Sequence, residues 1–412
     1  MSITRRAFLR NGALAAIGTA ALPSFLTRAA MGATQAMAPN KRLVIIFQRG
    51  AADGLNIVIP HAEPRYYSMR PSIGIPRNKV IDLNGFFGLH PSLASFKPLW
   101  DQGHLAIVHA AGSPDTTRSH FDAQDYMESG TPGLKGTTDG WLNRTLQCEH
   151  ASGSPFHAVA LGTSMPRILS GKAPAVAVDN VNAFGIAAGN PKAAPIGNTF
   201  EAMYAQSVDS VLHGIASETF EAVKMLKSAD PRKYTPAVSA DYPKGRFGDA
   251  LRQTAQLIKA DLGVQIAFAD IGGWDHHVNE GADEGQLANV LREFSESISA
   301  FWTDLGALAE GTVVITMSEF GRTARENGNQ GTDHGHANVM FVLGGPVRGT
   351  RVYGRWPGLE PSQLNEGRDL ALTTDFRRVV GESLARHLKV ADLNTVFPGF
   401  ENSSAQFLHY LG

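Results

Sequence analysis

The chain has 412 residues, of which 43% are hydrophobic and 18% are charged. This composition is typical of a folded globular protein and excludes disordered, collagen-like and coiled-coil chains. Its 37 basic and 38 acidic side chains nearly cancel, so we expect no nucleic-acid partner held by charge. The one cysteine, Cys148, excludes intramolecular disulfides, cysteine-rich zinc sites and iron–sulfur clusters ligated by cysteine.

Residues 1–35 carry the pattern of an export signal. The pair Arg5 and Arg6 precedes an uncharged, alanine-rich run from Asn11 to Thr27. This pattern predicts a twin-arginine signal peptide, recognised by the twin-arginine (Tat) export machinery, and a periplasmic or secreted protein. The run is too short and too weakly apolar for a stable membrane span. Cleavage after Ala30 removes four arginines and no acid, leaving 33 basic against 38 acidic residues and a net charge of −5.

The pattern of residues 36–412 predicts a single α/β domain. Short apolar runs alternate with amphipathic stretches, which favours a mostly parallel central sheet with helices on both faces. The predicted strands span 43–47, 105–109, 264–269, 312–317 and 339–343, and the predicted helices span about 120–129, 199–228, 246–262, 285–309 and 374–388. The stretch 162–197, rich in Pro and Gly, predicts an inserted cap or hairpin region over the sheet edge, with a second small domain as the alternative.

Polar residues follow four of these strands, at the edge where ligands bind in open α/β sheets. Carboxylates and imidazoles are the ligand types that zinc, manganese and similar divalent ions prefer. A single histidine is more often a surface or capping residue, but two acid–histidine clusters in glycine-flanked loops favour a metal centre. The predicted metal ligands are Asp53, Asp270, Asp275, His277, Glu319, Asp333, His334 and His336. We expect Zn or Mn, with Ca or Mg as alternatives.

Five segments resemble a bacterial family of secreted proteins, a domain-of-unknown-function family, that is similar to the alkaline phosphatase and sulfatase superfamily. They are residues 47–56 (FQRGAADGLN), 119–124 (SHFDAQ), 272–275 (GGWD), 318–323 (SEFGRT) and 331–335 (GTDHG). The resemblance implies an alkaline-phosphatase-like fold, with Asp53 as a metal ligand after the first strand and Ser119 as the nucleophile. The chain departs from the superfamily pattern at His277, two residues after Asp275 instead of four. It departs again at Ser318-Glu319, where an Asp-His pair is expected.

Three residues are predicted to act on the substrate. Ser119 lies at a predicted helix start, where backbone N–H groups favour an anionic phosphoryl or sulfuryl group; the alternative is a helix-capping serine. Arg49 and Arg322 are predicted anion clamps, and an ion pair with a neighbouring carboxylate is the alternative for each. Trp274 is predicted to pack beneath its loop and orient Asp275.

These features predict an exported metal-dependent hydrolase of phosphate or related sulfate-type esters, acting on a small anionic ester or a surface polymer. The first alternative is a catalytically degenerate, metal-containing binding protein of the cell envelope. The second is a Tat-exported oxidoreductase, which ranks last because no Gly-x-Gly-x-x-Gly segment follows a strand.

Overall fold

The computed structural model describes residues 41–148, 154–182, 233–401 and 403–412, together with Met225. The predicted export signal lies outside the described residues, as does the predicted helix 199–228 apart from Met225. No helix in the described part of the chain is long and apolar enough to cross a membrane.

Nine of the strands in the described ranges form one central sheet, in the order β11-β5-β10-β9-β1-β8-β6-β7, with β12 also paired to β5. Short strands β2, β4 and β3 form a second sheet. The strands are β1 Arg42–Gln48, β2 Val58–Ile59, β3 Ile81–Asp82, β4 Gly88–Leu89, β5 Leu105–Gly112, β6 Ala158–Leu161, β7 Val176–Val178, β8 Ile266–Ile271, β9 Thr312–Ser318, β10 Asn338–Gly344, β11 Arg351–Tyr353 and β12 Thr374–Asp375.

The central sheet is mostly parallel, as the sequence predicts. β10 is the exception, since it runs antiparallel to both β5 and β9. Its direction follows from the loop after β9, which returns the chain from the carboxyl end of that strand directly into β10. All five predicted strands are confirmed, as β1, β5, β8, β9 and β10.

Helices cover both faces of this sheet. They are α1 Gly54–Ile57, α2 Pro64–Met69, α3 Lys97–Asp101, α4 His120–Ser129, α5 Trp141–Cys148, α6 Arg246–Lys259, α7 Gln286–Leu305, α8 Phe376–Glu382 and α9 Leu393–Val396. The helix predicted over 285–309 ends as an α-helix at Leu305, because the chain turns at Gly306 with a φ of 54° and continues as a 3-10 turn. The helix predicted over 374–388 begins after Asp375, whose side chain caps it, and continues as a π-helix over Ser383–Leu388.

Strand β1 shows why the central strands are nearly continuous in hydrophobicity. All seven of its residues are buried. Val44 and Ile46 pack into the core on one face, whereas Leu43, Ile45 and Phe47 pack into the core on the other. Because each such side chain contributes about 1.5–3 kcal/mol when buried, the two cores hold the strand in one register. The two-sided burial predicted from the sequence is confirmed.

The described part of the Pro- and Gly-rich stretch extends the sheet. Val176–Val178 forms β7, which pairs parallel to β6 with Val159 opposite Val176. A hairpin requires antiparallel partners, so residues 162–178 do not form one and instead make a crossover to the outermost strand. Residues 183–197 lie outside the described ranges.

Candidate metal centre

The adjacent strands β9, β1 and β8 run parallel and deliver three loops to one edge of the sheet. The loops after β1 and β8 approach each other so closely that a Cβ on Gly50 would lie 3.0 Å from the backbone nitrogen of Asp275. Gly50 also has a φ of +118°, which disfavours any other residue. The contact brings the loop carrying Asp275 and His277 against the loop after β1.

Four side chains converge at this edge, and we call them the histidine cluster: His120, Asp275, His277 and His334. His120 is the first residue of α4, and His334 lies in the loop between β9 and β10. Ligand atoms of His120, Asp275 and His334 all lie within 4.8 Å of one another. His277 joins them, with its Nε2 2.9 Å from Asp275 Oδ1 and 3.0 Å from His334 Nε2.

The spacing of these atoms fits a metal ion. His120 Nε2 lies 3.0 Å from His334 Nε2, and Asp275 Oδ1 lies 3.3 Å from His334 Nε2. Four ligands about 2.0–2.1 Å from a tetrahedral zinc ion lie about 3.3–3.4 Å from each other. The cluster therefore has the ligand types and approximate spacing of a site for Zn or a similar ion, and its Nε2 atoms would move slightly apart around such an ion.

The opposite nitrogen of each imidazole faces an acceptor. His120 Nδ1 lies 2.8 Å from Glu319 Oε1, and His334 Nδ1 lies 2.8 Å from the carbonyl oxygen of Arg118. His277 Nδ1 lies 3.3 Å from Asp333 Oδ1. Since a carbonyl and a carboxylate only accept, the Nδ1 atoms of His120 and His334 carry protons. Neutral forms of these two rings direct their Nε2 lone pairs into the cluster, which is the arrangement found behind metal-bound histidines. His277 has a carboxylate oxygen on both sides, with its Nε2 2.9 Å from Asp275 Oδ1.

Glu319 supports His120 from behind. Its side chain is fully buried and accepts hydrogen bonds from the backbone N–H of Gly50 at 2.8 Å and from Gln124 at 2.9 Å. Burial alone would raise the pKa of Glu319, but the hydrogen bond from His120 and the other donors lower it. The same bond to Glu319 raises the pKa of His120. Glu319 thus orients His120 and does not face the cluster as a ligand.

Arg322 anchors Asp275. Its buried guanidinium donates to Asp275 Oδ1 at 2.6 Å and to the carbonyl oxygens of Ala51 and Gly50, each at 2.6 Å. Although burial alone would raise it, the pKa of Asp275 falls to about 2 under the influence of Arg322. Trp274 is 1% exposed beside it and donates to the carbonyl oxygen of Ile271, so the prediction that Trp274 packs beneath the loop is confirmed.

Asp53 lies in a separate set of buried side chains that we call the acid–arginine network: Asp53, Asn56, Arg70, Glu280 and Thr332. Arg70 grips both carboxylate oxygens of Asp53. It also donates to the carbonyl oxygen of Thr323 at 2.8 Å and to that of Ala324 at 3.0 Å. Among the described residues, the Asp53 carboxylate has hydrogen-bond partners in Arg70 and the backbone N–H of Leu55 and none in the histidine cluster, so Asp53 is not part of that cluster.

Asp270 is also engaged by a guanidinium. Arg49 donates to Asp270 at 2.6 Å and to Glu128 at 2.8 Å. The structure therefore places Arg49 in ion pairs, as the alternative for this residue anticipated, and Asp270 outside the cluster.

The remaining predicted residues, Asp333, His336 and Ser119, lie at three different positions. Asp333 contacts His277 from the solvent side. His336 is buried elsewhere, with its Nε2 3.0 Å from the carbonyl oxygen of Ser113. Ser119 caps α4, accepting a long 3.5 Å hydrogen bond from the backbone N–H of Asp122.

His120 was missed by the sequence reasoning. It directly follows Ser119 at the start of α4, inside a segment already singled out for its serine. The sequence signal for His120 as a ligand was its position at the start of helix α4, after strand β5 of the central sheet. A lone histidine at such a position has many uses, so the sequence alone does not distinguish it.

A cavity of about 370 Å³ opens beside the cluster, with Asp333 in its wall. Arg65, Arg325 and Arg368 contribute cationic side chains to the same cavity. Arg65 pairs with Glu360 at 2.7 Å, and Arg368 donates to the carbonyl oxygen of His334 at 3.0 Å. Arg325 is exposed at the rim. Glu326 and Asp333 also line the cavity, so its wall carries both arginines and carboxylates.

Comparison with known proteins gives a family and several structures with a similar layout. A family model described as "Protein of unknown function (DUF1501)" matches residues 40–397. No curated protein matches the chain. Among solved structures, the zinc complex of the C-terminal periplasmic domain of EcEptC from Escherichia coli is 10% identical, with a TM-score of 0.36 over 75% of this chain and 74% of that one.

Two further structures are similarly distant. A protein in the alkaline phosphatase superfamily from Vibrio parahaemolyticus is 12% identical, with a TM-score of 0.35 over 77% of this chain and 63% of that one. The PsFucS1 sulfatase from Pseudoalteromonas sp. is 13% identical, with a TM-score of 0.33 over 81% and 68%. At these TM-scores we assign no residue of this chain by correspondence.

Proposed function

The chain belongs to the DUF1501 family, and we propose that it is an exported, metal-dependent hydrolase of phosphate or sulfate-type esters. The observation that carries the proposal is the convergence of three imidazole Nε2 atoms and the Asp275 carboxylate from loops far apart in sequence. Lone pairs that face one another at about 3 Å are stabilised by a cation between them. Zn or Mn suits this ligand set better than Mg or Ca, which prefer oxygen ligands.

A divalent ion at the cluster would supply Lewis acidity and lower the pKa of a bound water. The protein's own residues would do the rest. Arg322 holds Asp275, Glu319 holds His120, and the carbonyl of Arg118 holds His334, so the ligands need little reorganisation. The exposed side chains of Asp275 and His277, at 47% and 40%, leave the cluster open to a substrate from solvent.

The anionic part of an ester would bind in the cavity beside the cluster. Arg325 and Arg368 supply positive charge there, in a wall that also contains Glu326 and Asp333. Ser119 is the proposed nucleophile, because among the described residues its hydroxyl makes only the long capping bond to Asp122, and because it directly precedes His120. Attack by water is the alternative route at the same site.

The test measures metal content and turnover in the same sample. The folded wild-type protein is assayed for bound metal and then tested with Zn or Mn against phosphomonoesters, phosphodiesters and sulfate esters. His334→Ala should lose the metal and the activity, whereas His61→Ala, a histidine outside the cluster, should retain both. Undiminished turnover in Ser119→Ala would exclude the covalent route. If the wild-type protein binds no metal after Zn or Mn is added, the metal centre is excluded.

A metal-containing binding protein without turnover is the second candidate. The ion pairs of the two predicted anion clamps favour this candidate. Arg49 pairs with Asp270 and Glu128, and Arg322 is buried against Asp275, so both guanidinium groups already bind carboxylates of the protein. Four protein ligands also resemble the closed coordination of structural zinc sites. Stoichiometric metal without turnover on any of the three ester classes would select this candidate.

A further inference from the structure

A second pocket lies at the β11 edge of the central sheet and shares no residue with the histidine cluster or with the cavity beside it. We call it the edge pocket. Its volume is about 410 Å³. It is lined by Arg351, Val352, Tyr353, Gly354, Arg355, Thr373, Thr374, Arg378, Gln406, Phe407 and Leu408.

The lining has an unbalanced charge. It includes three guanidinium groups, from Arg351, Arg355 and Arg378, and no carboxylate. Among the residues that the structure describes, none of the three forms an ion pair with an acid, and Arg351 instead lies over the Tyr353 ring at 5.1 Å. The pocket therefore carries three positive charges that the described protein does not neutralise.

The acids near the pocket, Asp375 and Glu382, bind other groups of the protein. Asp375 follows Thr374 but accepts from Arg377 at 2.7 Å. Glu382, in the same helix as Arg377, accepts from the backbone N–H groups of His409 at 2.9 Å and Leu411 at 3.1 Å. Neither carboxylate is therefore available to balance the pocket.

Two polar atoms of the lining lack partners. Arg378 Nε and Gln406 Oε1 are buried and have no hydrogen-bond partner in the described part of the chain. A buried donor or acceptor in that state costs free energy unless a ligand or water completes it. The pocket thus offers both uncompensated charge and unused hydrogen-bonding capacity.

From these features we propose that the edge pocket binds a phosphate or sulfate group carried by a small organic molecule. Guanidinium groups bind tetrahedral oxyanions through paired, charge-assisted hydrogen bonds. A water molecule occupies about 30 Å³ in the liquid, so a pocket of about 410 Å³ has room for an oxyanion and for further atoms. The remaining space lies against the partly apolar wall of Phe407 and Leu408, where the organic part of an ester would pack.

The test titrates the full-length protein with inorganic phosphate, inorganic sulfate and glucose 6-phosphate at about 0.15 M salt, where remote charges are screened. Binding to the edge pocket should be saturable both in the wild-type protein and in His334→Ala. The triple variant Arg351→Gln, Arg355→Gln, Arg378→Gln should bind at least about tenfold more weakly, because it loses the charge-assisted bonds. Tighter binding of glucose 6-phosphate than of phosphate would identify an ester as the ligand, and equal binding would identify the free anion.

Matched controls separate the pocket from general charge effects. Arg246→Gln, Arg252→Gln, Arg292→Gln removes the same charge from helices α6 and α7 and should bind like wild type. Because Arg351 and Arg355 are exposed, their single variants test the pocket even where the triple variant does not fold. His334→Ala should retain binding, which separates this proposal from the metal centre. Absence of saturable binding, or equal weakening in both triple variants, would overturn the proposal.

Discussion

The acid–arginine network and the histidine cluster are two polar clusters with opposite electrostatic designs. In the network, acids meet donors: Arg70 grips Asp53, and Glu280 accepts from Thr332 at 2.8 Å and from Asn56 at 3.3 Å. In the cluster, imidazole Nε2 atoms face one another at 3.0 Å. The first neutralises its charges internally, whereas the second would be completed by a cation under the proposed function. Because Arg322 also compensates Asp275, the difference between the two clusters lies in the imidazole nitrogens.

Removing the Arg70 guanidinium, the cation of the acid–arginine network, should have the largest effect on stability. Arg70→Met leaves Asp53 as a buried, unpaired carboxylate, and we expect the free energy of unfolding to fall by about 3–5 kcal/mol. Denaturant unfolding measures the change. The double variant Asp53→Asn, Arg70→Met should lose less than the single one, because it removes the uncompensated charge as well. A loss below about 1 kcal/mol for Arg70→Met would contradict the structural role of the network.

The second effect is a pH dependence that originates within the network. Burial and the nearby charge of Asp53 raise the pKa of Glu280 well above its ordinary value. Above an ordinary pKa of about 4.3 the unfolded chain releases this proton while the folded protein keeps it, so stability falls as pH rises, by up to about 1.4 kcal/mol per pH unit. The fall continues until the pH passes the folded pKa.

Glu280→Gln mimics the protonated acid and should lack this contribution. The free energy of unfolding of the wild type, measured relative to the variant, should therefore decline between pH 5 and pH 7. The exposed Glu296→Gln should track the wild type at every pH. A constant difference between wild type and Glu280→Gln across this range would show that Glu280 ionises normally.

The smallest of the three effects concerns the support of the cluster. Glu319→Gln keeps an acceptor for His120 Nδ1 but removes the charge, and changes of this kind behind a metal ligand cost about 10–100-fold in metal affinity. Competition with a chelator of known zinc affinity measures the change, with Glu296→Gln as the matched control. Unchanged zinc affinity in Glu319→Gln would mean that His120 does not bind the metal.

The candidate site was only partly predictable from the sequence. Asp275, His277 and His334 follow strands of one sheet, and strand ends of a parallel sheet share an edge, so the prediction that they meet agrees with their positions in the structure. The assignment of Asp53 and Asp270 as ligands relied on the same rule. That rule predicts where strands end and not which side chains pair, so it does not predict that Arg70 and Arg49 bind these two carboxylates.

From the sequence alone, the two-sided burial of the central strands, the mostly parallel sheet and the edge that collects the acids and histidines are all evident, because hydrophobic periodicity is a local property of the chain. Only the tertiary structure decided which polar groups pair with one another. His120 and His334 are 214 residues apart in sequence, and their contact depends on the packing of helix α4 against the loop that follows β9. Charge compensation is a short-range, three-dimensional property, so the acid that binds an arginine and the histidine left facing a cation are distinguished only in the folded chain.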